Sequence, residues 1–383
     1  MKAQRLLSLP PYLFEDLERR SREASVAGRD VIDLSIGDPD LPPPESLVDN
    51  LKRALSRVSH HRYPPQRGTP ELKGAIQRYL SRRCGVSPQT DEILVLIGSK
   101  EGLGHLPLAV CNPGDLALLP DPGYPVYRAA AQFAGTRVRF YDLDPSKGYR
   151  PAWERLAESE RRSARLLILN YPNNPTGATI DAGTFQEALG LARTHGTIVA
   201  NDAAYADVYF RDRPPLVCEQ PDALRAPVIE FFSFSKTFCV TGWRVGFAVG
   251  RRDVIEALAH LKANLDSGVF GAIQEAIAGT LDTDGDLYAA AMRSEFGRRR
   301  EQAVGTLTRL GYACSPGCAT FYVWAKVPRP FTSMDFAMHL LDKADVLVTP
   351  GGGFGERGEG FFRVALTSPL DRIEEALERV GRV

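Results

Sequence analysis

What this 383-residue chain lacks narrows its class first. No stretch approaches ~20 consecutive apolar residues, so no membrane-spanning helix is expected. Met1 to Pro10 carries Lys2 and Arg5 but no long apolar core, so no signal peptide is expected. Net charge is missing too: 47 basic residues face 47 acidic ones, which argues against a dedicated nucleic-acid or polybasic membrane-binding chain. The six cysteines, Cys84, Cys111, Cys218, Cys239, Cys314 and Cys318, form no Cys-x-x-Cys pair and no cluster with histidine at zinc spacing. A reduced, cytoplasmic setting and no metal are therefore expected. Repeats and low-complexity segments are absent. What remains is ordinary globular composition, 44% hydrophobic and 25% charged, in a chain long enough for two or three domains.

Along the chain, a charged helical run at Glu15–Glu23 precedes an alternating segment at Val31–Ile36. A helix near 45–57 follows the proline-rich turn at 42–44. From residue 70 a rhythm begins. A helix at 70–83 leads into strands at 92–97, 116–119, 137–141, 165–170, 197–201, 228–235 and 245–249, mostly with helical segments between. Apolar strands alternating with helices predict an α/β fold, with a mostly parallel sheet covered on both faces. A helical stretch to about 310, strands at 319–325, 346–349 and 361–366, and helices near 332–343 and at the end complete a smaller α+β part.

Two patterns invite over-reading. His60-His61 are adjacent on a loop without clustered partners, which makes them poor metal ligands. Gly353-Phe-Gly355-Glu-Arg-Gly358 matches a dinucleotide fingerprint but runs into a strand rather than a helix, so a flexible connecting loop is expected there.

Lysine is sparse, and Lys236 stands out. It lies between Ser235 and Thr237 at the end of the apolar run Val228–Phe232, with Ser233 before it and Arg244 eight residues on. A partly desolvated lysine there can act as an amine nucleophile, and two hydroxyls with a guanidinium suit a phosphate. An amine beside a phosphate cradle is what pyridoxal phosphate (PLP) requires. The plainer alternative is a loop lysine flanked by capping serines. In open α/β sheets ligands bind beyond the carboxyl ends of the strands. Those ends supply Ser99 and Lys100 opening a helix, Tyr124 as an aromatic plane, Asn174 in a stiff turn, and Asp202 with Tyr205. Singly, Tyr124 reads as a loop aromatic, Asn174 as a turn former and Asp202 as a helix cap. Together they supply the groups a pyridoxal ring needs.

Five motifs occur in order: Asn-Asn-Pro-Thr-Gly at 173–177, Asn-Asp-Ala-Ala-Tyr at 201–205, Ser-x-Ser-Lys-Thr at 233–237, Gly-Trp-Arg-Val-Gly at 242–246 and Phe-Arg-Val-Ala-Leu at 362–366. On these the chain resembles the PLP-dependent class I/II aminotransferases of fold type I over almost its full length. Within that group it is most similar to the LL-diaminopimelate aminotransferases, through Leu-Pro-Pro-Tyr-Leu-Phe at 9–14, Ile-Gly-Asp-Pro-Asp-Leu-Pro at 36–42, Ile-Gly-Ser-Lys-Glu-Gly at 97–102, Asp-Pro-Gly-Tyr-Pro-Val-Tyr at 121–127 and Asp-Ser-Gly-Val-Phe at 266–270.

The resemblance implies an aspartate aminotransferase-like α/β fold, with a seven-stranded sheet in a large domain at 46–280. A small domain would be built from 1–45 and 281–383. It implies Lys236 as the Schiff-base lysine and Asp202 as the partner of the pyridine nitrogen. Asn174 and Tyr205 would bond the ring oxygen, with Tyr124 stacked on the ring. Ser99, Lys100, Ser233, Ser235 and Arg244 would hold the phosphate. Arg363, helped by Gly37 and Asn174, would take the substrate carboxylate. Tyr63 would reach the neighbouring subunit's cofactor, so a homodimer with shared sites is expected. Tyr12 on the N-terminal arm and the loop around Gly268 are the candidates for the far end of the substrate, by position in the resemblance. The second arginine of the aspartate aminotransferase pattern is missing.

The expected reaction moves an amino group from LL-diaminopimelate or its N-succinyl form to a 2-oxo acid such as 2-oxoglutarate, within lysine biosynthesis. Alternatives are an aspartate, alanine or aromatic aminotransferase, a PLP-dependent C–S β-lyase, and a non-enzymatic PLP-binding regulator. Family motifs within the first forty residues leave no room for a regulator's DNA-binding module. No nucleic acid or membrane partner is expected.

Overall fold

The computed structural model describes residues 3–7 and 15–383, apart from the side chains of Gln4, Leu7, Glu15 and Asp16. Its strands are β1 (Ile32–Asp33), β2 (Ile93–Leu96), β3 (Leu116–Asp121), β4 (Arg137–Asp144), β5 (Arg150–Pro151), β6 (Ala164–Leu169), β7 (Ile198–Asp202), β8 (Val228–Ser233), β9 (Gly246–Gly250), β10 (Tyr322–Lys326), β11 (Val346–Leu347), β12 (Thr349–Pro350) and β13 (Phe361–Ala365). The central sheet runs β2-β9-β8-β7-β6-β3-β4-β5. Neighbours from β8 through β4 are parallel, while β9 is antiparallel to both β8 and β2. The expected seven strands are there, plus an eighth. It is the two-residue β5, antiparallel to β4 at the sheet edge. Two residues ending in proline carry no strand pattern, and proline is tolerated only at such an edge.

Strands β2, β3, β7, β8 and β9 are buried along their whole length, because helices cover both faces. Alternation decides which face each side chain serves. Leu94 and Leu96 of β2 pack with Leu103, Leu106, Ile255 and Leu258 on one side. Ile93 and Val95 pack with Leu72, Ile76 and Ile277 on the other.

The smaller part holds an antiparallel sheet, β10-β13-β12, against the helices Gly285–Arg309, Ser333–Ala344 and Leu370–Val380. Parallel pairing of β1 with β11 stitches the N-terminal segment to it, Ile32 opposite Val346. The run at 346–349 is thus split between two sheets around Val348. Among the described residues no helix is long and apolar enough to cross a membrane.

The sequence places a strand over 228–235, but β8 stops at Ser233 and Phe234–Thr237 forms one helical turn. The chain then passes through a left-handed Arg244 (φ 54°) into β9. At Gly246 a Cβ would lie 2.5 Å from the Phe232 carbonyl oxygen and 3.0 Å from the Ser99 nitrogen, so only glycine allows this approach.

Candidate active site

A cavity of about 510 Å³ lies where the C-terminal ends of the parallel strands meet the smaller part. Its walls contain Ser99, Lys100, Tyr124, Asn174, Asp202, Tyr205, Ser233, Ser235, Lys236, Arg244, Gly37 and Arg363. Chain segments far apart in sequence bring these residues together. Tyr63 is not among them: it is 93% exposed, outside this cavity. Tyr12 lies outside the described residues.

One end of the cavity is built for an anion. Ser99 opens the twelve-residue helix Ser99–Val110, whose first backbone amides and dipole favour negative charge. Gly98 adopts φ +75°, and a Cβ there would lie 2.8 Å from Arg244 Nη2, so glycine lets the guanidinium reach the helix N-terminus. Ser233 and Ser235 are buried beside it. Among the described residues Ser235 Oγ has no hydrogen-bond partner, a costly state for a buried hydroxyl and one that a phosphate oxygen would relieve. Lys100 stands exposed at the rim.

At the centre, Lys236 Nζ donates to the Gly37 carbonyl at 2.7 Å and lies 5.4 Å from the Phe321 ring. Burial brings its pKa down to about 8; Arg244 and Arg363 push the same way against Asp38 and Cys239. A Cβ at Gly37 would collide with the Tyr322 hydroxyl, so this close carbonyl contact needs glycine.

Asp202 ends β7, and its Oδ2 accepts from the Tyr127 hydroxyl at 2.7 Å. Burial raises its pKa to about 6, held there by the Tyr127 hydroxyl, the Ala204 N–H and the Lys236 charge, so the carboxylate is mainly ionised at neutral pH. Tyr124 stands edge-on to Tyr127, and burial pushes its phenol up to about 12. Next to Asp202, Asn201 is tied to the fully buried Glu230 at 2.7 Å, which braces the strand end from below.

At the other end, Arg363 of β13 is held flat. Its guanidinium carbon is 4.0 Å from the Tyr322 ring centre and 4.9 Å from that of Phe354. Nη1 donates to Asn174 Oδ1 at 2.8 Å and Nη2 to the Ser35 carbonyl at 2.7 Å, while buried Nε has no acceptor among the described residues. A buried, preorganised guanidinium with a spare donor suits a carboxylate.

Three residues of this arrangement escaped the sequence reading. Tyr127 sits in the quoted 121–127 motif, but nothing there says which of its two tyrosines meets Asp202. Tyr322 stacks on Arg363, and its hydroxyl lies 2.8 Å from that of Tyr205. The Tyr205 hydroxyl therefore has a protein partner of its own, which the resemblance did not provide. Phe354 comes from the glycine-rich loop that reads as a flexible connection. That loop is pinned: Gly123 N–H donates to the Phe354 carbonyl at 2.7 Å and Arg357 N–H to Asp121 at 3.1 Å.

The histidine pair is engaged otherwise, His60 with Glu275 at 2.8 Å and His61 with the Leu55 carbonyl at 3.0 Å. Among the described residues one group has metal-ligand spacing, Glu101, His105 and Asp266. The buried Lys262 ammonium already sits within it, 3.1 Å from Glu101 and 2.5 Å from Asp266, so the group reads as an ion cluster.

This geometry has known counterparts. The aminotransferase class I and II profile matches residues 29–380. The chain belongs to the class I and II aminotransferases. As a member of that family it is an enzyme of the transaminase class, acting on small amino and 2-oxo acids. An LL-diaminopimelate aminotransferase of Nitratidesulfovibrio vulgaris (strain Miyazaki F) is 42% identical, over 100% of this chain and 98% of its own length. One from Moorella thermoacetica is 44% identical, over 100% and 98%. Among solved structures, substrate-bound BacF from Bacillus subtilis superposes with a TM-score of 0.95 at 33% identity, covering 100% of this chain and 97% of that one. A probable N-succinyldiaminopimelate aminotransferase from Thermus thermophilus gives 0.90 at 35%, covering 96% and 99%. A double mutant of the Thermus thermophilus aspartate aminotransferase gives 0.94 at 26%, covering 100% and 99%.

Proposed function

We propose that this aminotransferase works with PLP on LL-diaminopimelate or its N-succinyl derivative, in lysine biosynthesis, with 2-oxoglutarate as amino acceptor. The observation that carries the substrate reading is full-length identity of 42% and 44% to relatives named LL-diaminopimelate aminotransferase. The cofactor reading rests on fit. A buried Ser235 hydroxyl with no partner among the described residues, beside a helix N-terminus and Arg244, suits the phosphate. A buried carboxylate at Asp202, an amine of lowered pKa at Lys236 and a flat aromatic at Tyr124 suit the ring.

Bound there, PLP supplies an aldehyde that captures amines and a ring that takes up the electron pair left when the Cα–H bond breaks. The chain's own residues do the rest. Arg363 orients the substrate through its α-carboxylate, with Asn174 and Ser35 fixing the guanidinium. Ionised Asp202 would keep a proton on the ring nitrogen, and Tyr127 keeps Asp202 in place. With burial bringing its pKa down to about 8, the Lys236 amine would be able to take up the proton from the substrate Cα and give it back. Asn174 and Tyr205 would bond the ring oxygen, with Tyr322 steadying Tyr205.

We take the working unit to be a homodimer, with Tyr63 lending its hydroxyl to the partner's phosphate site; its 93% exposure in the single chain supports this. We divide the chain into a large domain at 46–280 and a small one at 1–45 with 281–383, in keeping with the two groups of strands. Six unpaired cysteines fit a reduced compartment.

The test is a donor panel with 2-oxoglutarate, run on material that should sediment at twice the 42.1 kDa chain mass. LL-diaminopimelate or its N-succinyl form should give the highest kcat/KM, ahead of aspartate, alanine and the aromatic amino acids. A wide lead for aspartate or an aromatic donor would overturn the substrate, and a fully active monomer would overturn the shared site.

A further inference from the structure

A carboxylate that does not line the cavity fastens two of its walls together. Asp121 ends β3 and is buried. Three residues on, Tyr124 lines the cavity. From the smaller part, the loop 351–358 comes down on the same strand end. Arg357 N–H donates to Asp121 Oδ1 at 3.1 Å, and Gly123 N–H donates to the Phe354 carbonyl at 2.7 Å. Gly355, at φ +127°, lies so close to the carboxylate that a Cβ would stand 2.2 Å from Oδ1. The Arg357 side chain reaches the next strand, where Nε donates to Asp142 Oδ1 at 3.1 Å. Asp142 is the register partner of Asp121 on β4.

The loop held this way puts one side chain into the site. Phe354 is buried, lines the cavity and has its ring centre 4.9 Å from the Arg363 guanidinium carbon. Tyr322, the other ring against that guanidinium, is fixed to Arg363 by the pairing of β10 with β13. Phe354 has no such strand pairing. Where its ring stands depends on how the loop is docked.

We propose that Asp121 is a positioning residue for the substrate carboxylate: by clasping the loop 351–358 it holds Phe354 against Arg363 and keeps the guanidinium turned to receive the carboxylate. This rests on the aminotransferase reading above, in which Arg363 takes that group. A guanidinium packed against two rings presents its donors in one plane, and a loosened ring frees it to turn away. The clasp therefore acts on binding, not on the proton transfers at Lys236.

The experiment uses the PLP-loaded wild type with Asp121→Ala, Asp121→Asn, Gly355→Ala and Phe354→Leu, and melting curves confirm which of them fold. Calorimetric titration with pimelate, the amine-free skeleton of diaminopimelate, reads carboxylate binding apart from turnover. Asp121→Ala should weaken pimelate about tenfold and raise KM for the amino donor about as much, with kcat and cofactor content close to wild type. Gly355→Ala pushes a Cβ against Oδ1 and unseats the loop with Asp121 still present, so it should give the same loss and does not depend on Asp121→Ala folding. Asp121→Asn keeps an acceptor oxygen for the Arg357 N–H and should stay within about threefold of wild type. Phe354→Leu should reproduce the loss, and adding Asp121→Ala to it should cost little more, because both act through the same ring. Cofactor loss with unchanged pimelate binding would show that Asp121 serves the Tyr124 turn instead and would overturn the proposal. So would losses that add fully in the double variant, or a fall in kcat with KM unmoved. Weakened pimelate binding in Asp121→Ala, in an enzyme that transaminates no donor, would uphold the clasp and overturn the activity reading.

Discussion

Removing the Asp207 carboxylate should destabilise the protein out of proportion to one side chain. Asp207 and Arg83 have side chains 9% and 7% exposed, and Arg83 Nε lies 2.9 Å from Oδ1. The Tyr79 hydroxyl is 2.9 and 2.7 Å from the two carboxylate oxygens, and Thr237 Oγ1 donates at 2.8 Å. Asp207→Ala therefore strands a buried guanidinium and two hydroxyls at once. Breaking a buried pair from one side costs ~3–5 kcal/mol. At ~2–4 °C per kcal/mol for a chain of some hundreds of residues, Tm should fall by roughly 6–20 °C in a calorimetric scan. Arg83→Met added to Asp207→Ala should recover part of the loss, since the stranded charge goes with it.

The effect has a pH signature. Burial raises the Asp207 pKa, but Arg83 and the Tyr79 and Thr237 hydrogen bonds outweigh it and leave the folded value below the ordinary carboxylate range. A depressed folded pKa means stability that is complete above the unfolded pKa, ~3.9, and lost as pH falls through the folded value. The gap between wild type and Asp207→Ala should therefore be full at neutral pH and shrink in acid. Thr237 anchors the turn that carries Lys236, so the variant should also hold less cofactor per chain. An Asp207→Ala protein melting within about 2 °C of wild type at pH 7 would refute this account of the network.

The proposed roles of two site residues can be checked directly. Borohydride reduction of the PLP-loaded protein followed by peptide mapping should leave the pyridoxyl group on Lys236; recovery on Lys100 or Lys262 would reassign the reactive amine. Arg363→Lys keeps the charge but loses the planar fork between Tyr322 and Phe354 and leaves the Asn174 and Ser35 acceptors short of a donor. A charge-assisted hydrogen bond is worth ~1.5–3 kcal/mol, so kcat/KM should drop roughly 10- to 150-fold, mainly through KM. A change under threefold would show that the carboxylate is held elsewhere.

The sequence by itself determined the α/β rhythm, because apolar strands buried on both faces cannot hide their pattern. It also determined the inventory at the strand ends, where Ser99, Asn174, Asp202 and Lys236 sit in local motifs whose spacing survives without coordinates, while Arg363 was legible only through the family resemblance. The tertiary structure decided everything that depends on contacts between distant segments. Tyr322 meets Tyr205 across 117 positions, and Asp207 meets Tyr79 across 128. Phe354 reaches Arg363 from a loop whose glycines suggest only a flexible connection. The two-residue β5, the single turn under Lys236 and the division of 346–349 between two sheets are too short to leave a periodic signal. Periodicity reports how much of an element is buried; which residue faces which is settled only when the faces meet.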